Sequence, residues 1–243
     1  MPGGSFDERM AEGYDAASVE LFEPAVVDPV VGFLADLAGD GKALELGVGT
    51  GRIALPLSRR GVRVHGIDLS PAMAARLRDK PGGDEVEVTI GDFATTRVDG
   101  TFRLAYVVYN TIENLTTQDE QVDCFCTVAA HLEPRGCFVV EVEVPALRLL
   151  PPGETVRAFT VRPPHLGFDE LDVATQRGIS HHYWVAAGRG EVVSMPFRYV
   201  WPAELDLMAR IAGMSLRERW GGWNREPFTG DSRRHVSVWE KVP

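Results

Sequence analysis

Short apolar runs alternate with amphipathic stretches through the first 143 residues. Asp28-Pro29 opens a helix, with Asp as N-cap and Pro at the first helical position, and Val30, Phe33, Leu34 and Leu37 give it one apolar face. Ala43–Leu46 reads as a short buried strand. The next helix, from about Arg52 to Arg60, turns Ile53, Ala54 and Leu57 inward, and Pro56 falls early enough in it to be tolerated. Val62–Ile67 is a second strand. Ser70-Pro71 caps a helix with Met73 and Leu77 four apart on one face, and Val86–Gly91 is the third strand. Thr101–Tyr109 is the fourth, a continuous apolar run typical of a strand buried on both faces. Thr117-x-x-Glu120 forms a capping box, after which Val122, Phe125, Cys126, Ala129 and Leu132 mark an inward helix face. Cys137–Glu143 is the fifth strand.

The pattern changes at Pro145. Pro151-Pro152-Gly153 and Pro163-Pro164 interrupt any helix, and β-like segments follow at 155–161, 178–187 and 191–200, with Gly188-Arg189-Gly190 as a hairpin turn. Trp201-Pro202 starts a helix to about Ala212, Met214–Trp220 returns to the sheet, and Arg234–Lys241 alternates as a final antiparallel strand. At the other end, Phe6, Met10, Tyr14 and Val19 lie near helical spacing. Strands alternating with helices imply an α/β fold, a doubly wound, mostly parallel seven-stranded sheet carrying an antiparallel β insertion. The expected division is an N-terminal helical cap (1–40), a ligand-binding α/β core (41–145), the insertion (146–200) and a return to the core sheet (201–243).

Composition narrows the partners. Of 243 residues, 44% are hydrophobic and 25% charged, enough for a sizeable core. The formal net charge of −10 argues against nucleic acid, because a phosphate backbone needs a basic face and no dense Lys/Arg run is present. Cys124, Cys126 and Cys137 form no C-x-x-C, so no metal site or disulfide framework is expected. No signal peptide or membrane span is read, and the expectation is a cytoplasmic protein, with a homodimer left open as its assembly.

The chemistry gathers at strand ends. Glu45-Leu46-Gly47-Val48-Gly49-Thr50-Gly51 joins a strand to a helix through a side-chain-free turn, where backbone N–H groups can approach a ligand. Asp68 ends the second strand, placed to accept both hydroxyls of a ribose. Asp92-Phe93 ends the third, suited to the edge and face of an adenine. Together with Gly66-Ile67-Asp68-Leu69-Ser70 and Gly91-Asp92-Phe93, the glycine segment resembles the first three motifs of the class I S-adenosylmethionine-dependent methyltransferases, closely over residues 42–143. Gly49-Thr50-Gly51-Arg52-Ile53-Ala54 also fits a dinucleotide fingerprint, which keeps a nicotinamide oxidoreductase as one rival. Counting from Gly47 at the strand end, however, puts Arg52 where the third small residue belongs, and Glu45 is unexpected there. The other rival is a non-catalytic module that keeps the cofactor fold for binding or assembly.

The resemblance implies S-adenosylmethionine as cofactor, held by Glu45, Gly47, Gly49, Gly51, Asp68, Leu69, Met73, Asp92, Phe93 and Asn110, with Leu69 or Met73 packing on the adenine. It implies methyl transfer by in-line displacement to an O or N atom of a small-molecule acceptor. Tyr14-Asp15 resembles the Tyr-Asp pair in the cap of small-molecule methyltransferases, and Tyr14 and Asn114 are the candidate catalytic pair. Tyr109-Asn110-Thr111-Ile112 departs from the Asn/Asp-Pro-Pro-Tyr/Phe of nucleic-acid and glutamine methyltransferases. The likeness is to sugar and glycine-type N-methyltransferases, although Asn114 stands where the sugar enzymes carry histidine. His181 and His182 fall on one strand, so at most one can face a cavity. Trp220-Gly221-Gly222-Trp223-Asn224 reads as a pocket wall or a sheet edge.

Overall fold

The computed structural model describes residues 8–186 and 189–242. Helix α1 (Glu8–Ala17) precedes α2 (Pro24–Ala38), and then strands and helices alternate: β1 (Lys42–Leu46), α3 (Ala54–Arg59), β2 (Arg63–Asp68), α4 (Pro71–Arg78), β3 (Glu87–Ile90), β4 (Phe102–Val107), α5 (Gln118–His131) and β5 (Leu132–Glu143). The insertion contributes β6 (Val156–Arg162), β7 (His165–Asp172), β8 (Arg177–Ala186) and β9 (Arg189–Arg198); α6 (Pro202–Ile211), β10 (Met214–Trp220) and β11 (Arg234–Lys241) complete the chain.

Seven strands hydrogen-bond in the order β10-β11-β5-β4-β1-β2-β3, with β1 to β5 mutually parallel and β11 antiparallel to both neighbours. The expected doubly wound sheet with its antiparallel insertion is therefore present. Alternation along β4 shows why both of its faces had to be apolar. Leu104 and Tyr106 join the layer with α2 and α3, while Ala105 and Val107 join the layer with α5 and α6. Phe125 packs edge-on against Phe138 and Trp239, centroids 4.9 and 5.4 Å away, and all three rings are fully buried. Chain order reverses between β1 and β4, which opens a crevice at the carboxyl ends of these strands.

Several local expectations needed correction. Helix α2 starts at Pro24, not at Asp28-Pro29, and Pro29 lies inside it, because Glu23-Pro24 offers an earlier start with proline at the first helical position. Cys126 is exposed on α5 and Cys124 buried, one position off the expected face. Val19 is exposed in a short turn after α1. Phe6 and Gly188 lie outside the described residues. The strand β7 was not anticipated at all. Trp223 packs edge-on to Phe33 of α2 (5.4 Å), so it closes the sheet's flank instead of walling a pocket.

The four-stranded meander β6-β7-β8-β9 is joined to the core by a buried hub. Arg198, 4% exposed, donates to Gln121 Oε1 and to Glu204 Oε1, both at 2.6 Å. The amide of Gln121 in turn donates to the carbonyls of Ile112, Leu115 and Arg198 at 3.2–3.3 Å. Glu204 also accepts from Gln118 and Gln176. One network thus binds β9, α5, α6 and the loop after β4. Removing one partner from a buried charge pair typically costs about 3–5 kcal/mol. Arg198→Met should cost about 3 kcal/mol, the lower end, since Glu204 keeps two amide donors; urea denaturation monitored by circular dichroism checks it.

On β11, His235 is fully buried. Its Nδ1 pairs with Ser237 Oγ at 2.7 Å, and its Nε2 has no partner among the described residues. Burial, aided by Arg219, pushes its pKa down to about 3. Below pH 6.5 the unfolded chain therefore binds a proton that the native chain does not. Stability should rise with pH between about 3 and 6.5, by about 1.4 kcal/mol per unit from this residue, and level off above. His235→Leu should flatten that slope in pH-dependent denaturation.

Candidate active site

The glycine turn after β1 sits at the reversal point. Gly47, Gly49 and Gly51 all have positive φ (71°, 55° and 81°), a region other residues enter at a cost. A Cβ on Gly47 would lie 2.6 Å from Thr111 Cγ2, so the turn and the loop after β4 meet only because glycine is there. At Gly51 a Cβ would fall 2.9 Å from Leu55 and Leu77 carbons.

Asp68 fastens this turn to β2. Its Oδ2 accepts from Gly49 N (2.7 Å) and its Oδ1 from Ser70 N (2.8 Å). Burial raises its pKa, and these two bonds oppose the rise. Each carboxylate oxygen has a further lone pair for a ligand hydroxyl. Leu69 and Ile90, both 43% exposed at neighbouring strand ends, leave an apolar surface a flat ring can cover. Met73 is buried beneath, its Cε 3.6 Å from the position of a Cβ on Gly49. Asp92 Oδ1 caps its own turn through Ala94 N (2.9 Å), and Phe93 is buried behind it. A carboxylate for hydroxyls, apolar strand ends for a base and a side-chain-free turn fit the nucleoside and amino-acid portions of S-adenosylmethionine.

Glu45 points beneath the turn. It is 3% exposed, accepts from Tyr106 Oη at 2.8 Å, and has its pKa raised to about 8 by burial. Arg52 follows the last glycine. Its guanidinium lies over the Tyr109 ring, 5.2 Å from the centroid, and its charge acts on Glu45 and Tyr14. Sequence reading passed over Arg52, although a cation so close to the glycine turn was visible in the motif.

The loop after β4 is held in a costly shape. Tyr109 and Asn110 both adopt left-handed backbone (φ 56° and 60°), worth of order 1–3 kcal/mol each in strain. Glu141 of β5 secures the first through Tyr109 N (3.0 Å to Oε2), and Asn110 Oδ1 accepts from Glu143 N at 2.8 Å. Glu141 was not foreseen as part of the site. The loop then turns through Thr111–Asn114 and presents Glu113 and Asn114 to a cavity of about 1220 Å³.

That cavity is bounded by α1, this loop and the insertion. Tyr14 enters it from the cap, His182 and Trp184 from β8, and Asp169 from β7. Tyr14 and Asn114 therefore share one chamber, which Tyr109, Asn110 and Thr111 also line; Asp68, Leu69 and Asp92 stand at the strand ends beside the glycine turn, with Glu45, Met73 and Phe93 buried. Burial, chiefly, holds the Tyr14 and Tyr109 hydroxyls above the usual phenol range, so both remain donors at neutral pH. Helix α1 is latched over the glycine turn: Thr50 Oγ1 donates to Asp15 Oδ1 (2.6 Å), and Lys80 bridges Asp15 Oδ2 and the Thr50 carbonyl. Among the described residues, no group of three or more His, Cys, Asp or Glu could hold a metal, and no helix is long and apolar enough to cross a membrane.

Comparison with known proteins agrees with this geometry. The methyltransferase-domain family matches residues 43–136. The cypemycin N-terminal methyltransferase of Streptomyces sp is 29% identical over 97% of both chains. The structure of the CcbJ methyltransferase from Streptomyces caelestis superposes with a TM-score of 0.90, at 34% identity over 100% of each chain. CalS10, an amino pentose methyltransferase from Micromonospora echinaspora solved with S-adenosylmethionine bound, shares the fold (TM-score 0.73, 22% identity, 94% and 96% coverage). With a relative of that identity along its whole length, and with the glycine turn, Asp68 and strand order in place, the chain belongs to the class I S-adenosylmethionine-dependent methyltransferases.

Proposed function

We propose that the enzyme methylates a nitrogen of a small-molecule or peptide-type acceptor, oxygen being the less favoured atom. The observation carrying this is the character of the cavity. Glu20, Glu113, Glu143, Asp169 and Glu191 line it against Arg157, the one Lys or Arg lining it among the described residues, and Phe159, Trp184, Tyr14 and Tyr109 supply aromatic faces. Carboxylates and π-faces both favour a cationic amine. The name of the cypemycin relative, an N-terminal methyltransferase, points the same way.

The cofactor supplies an already activated methyl group, so the protein's task is alignment and exclusion of water, which can supply roughly 7–11 kcal/mol. Asp68 takes the ribose hydroxyls, Asp92 and Phe93 the adenine, the backbone of Gly47 and Gly49 the methionine portion, and Arg52 its carboxylate. Tyr14 closes from the cap, and Asn114 orients the acceptor from the loop. The insertion shapes the acceptor end, away from the strand ends that hold the cofactor.

Calorimetry should show binding of S-adenosylmethionine and its demethylated product and none of NAD. Asp68→Ala should weaken that binding at least tenfold, consistent with a charge-assisted bond of about 1.5–3 kcal/mol. Binding of NAD alone would sink the assignment. For the acceptor, amino sugars and peptide N-termini would be screened by mass spectrometry for a gained methyl group. With an acceptor so found, Tyr14→Phe and Asn114→Ala should each lower kcat/KM by about one to two powers of ten with an unchanged pH profile, as expected for lost hydrogen bonds and not for a lost base.

A further inference from the structure

An amine in water at neutral pH carries a proton on the nitrogen that must attack, and that proton has to leave before the lone pair is free. Tyr14 and Tyr109 are poor acceptors for it, their phenols being held protonated. The insertion offers an alternative. Along the cavity face of β7 and β8, four side chains form one connected row. Asp169 is hydrogen-bonded by the Ser180 hydroxyl, Ser180 Oγ lies 3.2 Å from His182 Nε2, and His182 Nδ1 lies 2.9 Å from His165 Nε2. All four line the cavity.

The strand register makes the row. Asp169 is paired with Ser180, Gly167 with His182 and His165 with Trp184, so residues two apart on each strand stand on the same face. Gly167, opposite His182, has no side chain, and the Phe159 ring occupies the space a Cβ there would take. The two imidazoles are near parallel (8°) with centroids 5.1 Å apart, the separation of rings joined edge to edge through a shared hydrogen bond. Trp184 lies parallel to His165 at 4.9 Å, and Phe159 flanks His182 at 5.1 Å, which fixes both planes. His181, on the other face, bonds Ser194 and takes no part.

Glu113, the half-buried carboxyl from the loop after β4, lines the same cavity, and its charge and that of Asp169 act on each other. Burial raises the pKa of Glu113 and of Asp169, and burial lowers that of His182, so carboxyl and imidazole are brought nearer in proton affinity. Other charged groups facing the row are Arg157 of β6, which acts on Asp169, Glu191 of β9 at the Trp184 end, and His181 through the sheet.

We propose that Asp169, Ser180, His182 and His165 form a proton relay that receives the proton shed by an ammonium acceptor and carries it along the insertion sheet, away from the reacting nitrogen. The idea rests on the amine reading above. In the first step the N–H bond of the acceptor breaks and an O–H bond forms at Asp169, leaving a neutral amine. The proton then passes by exchange of O–H and N–H bonds through Ser180 and His182 to His165, and from there to water. No electron transfer or co-reactant is involved. Two imidazoles 2.9 Å apart cannot both be charged near neutral pH, so the pair holds one extra proton at a time.

Histidine-resolved NMR titration of the full chain, with S-adenosylhomocysteine added, tests the relay without any acceptor. His182 should take up its proton in a single step that the His165 ring signals also report, and Asp169→Asn should lower the midpoint of that step by about half a pH unit or more. Ser180→Ala should shift it in the same direction. Independent titration of the two rings, or a midpoint unmoved in a folded Asp169→Asn variant, would overturn the relay even if amine methylation stands. With an amine acceptor from the screen, Asp169→Asn should lose kcat/KM about a hundredfold at pH 7 and recover as pH passes the amine's own pKa. A loss equal at every pH would show a structural role and refute the assignment.

Discussion

A guanidinium placed inside a protein must be paired, and the pairing of Arg198 determines how this molecule is put together. Its partners Gln121 and Glu204 come from α5 and α6, and Gln121 passes the connection on to the carbonyls of Ile112 and Leu115. The insertion is thereby attached to the loop after β4, which also lines the cavity, and the loop is attached to the insertion. Neither can be displaced without breaking charge-assisted bonds in a poorly solvated place. That common fixing lets four added strands act as a wall of the active site instead of a pendant.

The crevice and the cavity divide the electrostatic work. In the crevice, Asp68 is already engaged by two backbone N–H groups, so the turn and the carboxylate hold each other in position before any ligand arrives. Arg52 brings a positive charge to the side of the glycine turn nearest the cavity. Beyond it the sign changes, and carboxylates from the loop, β5 and β7 face one another across the chamber. The change of sign from Arg52 to these carboxylates separates the glycine turn from the chamber beside it.

The sequence made the crevice legible because each of its parts is local. A glycine turn must follow a strand, and an acidic residue that serves a nucleoside must sit at a strand end; both are readable from a few consecutive residues. The sheet was legible for a similar reason, since β4 must be apolar on both faces. What escaped was long-range or weakly patterned. His165–Asp172 carries three acids and a glycine and shows no apolar alternation, so its strand identity comes from its neighbours in the meander. Arg198 and Gln121, 77 positions apart, look like ordinary surface residues until the fold brings them together. Glu141 reads as one more strand residue, and its grip on the left-handed Tyr109 depends on the pairing of β4 with β5. The start of α2 was misplaced because two proline pairs competed and local preference alone could not rank them.

The latch on α1 has a consequence for how the cap moves. Asp15 and Lys80 grasp Thr50, which belongs to the turn that cradles the cofactor, and not some distant part of the frame. Swinging the cap aside and slackening the cradle are therefore a single event. Any movement of α1 is thereby tied to the shape of the glycine turn through three polar residues, Asp15, Thr50 and Lys80.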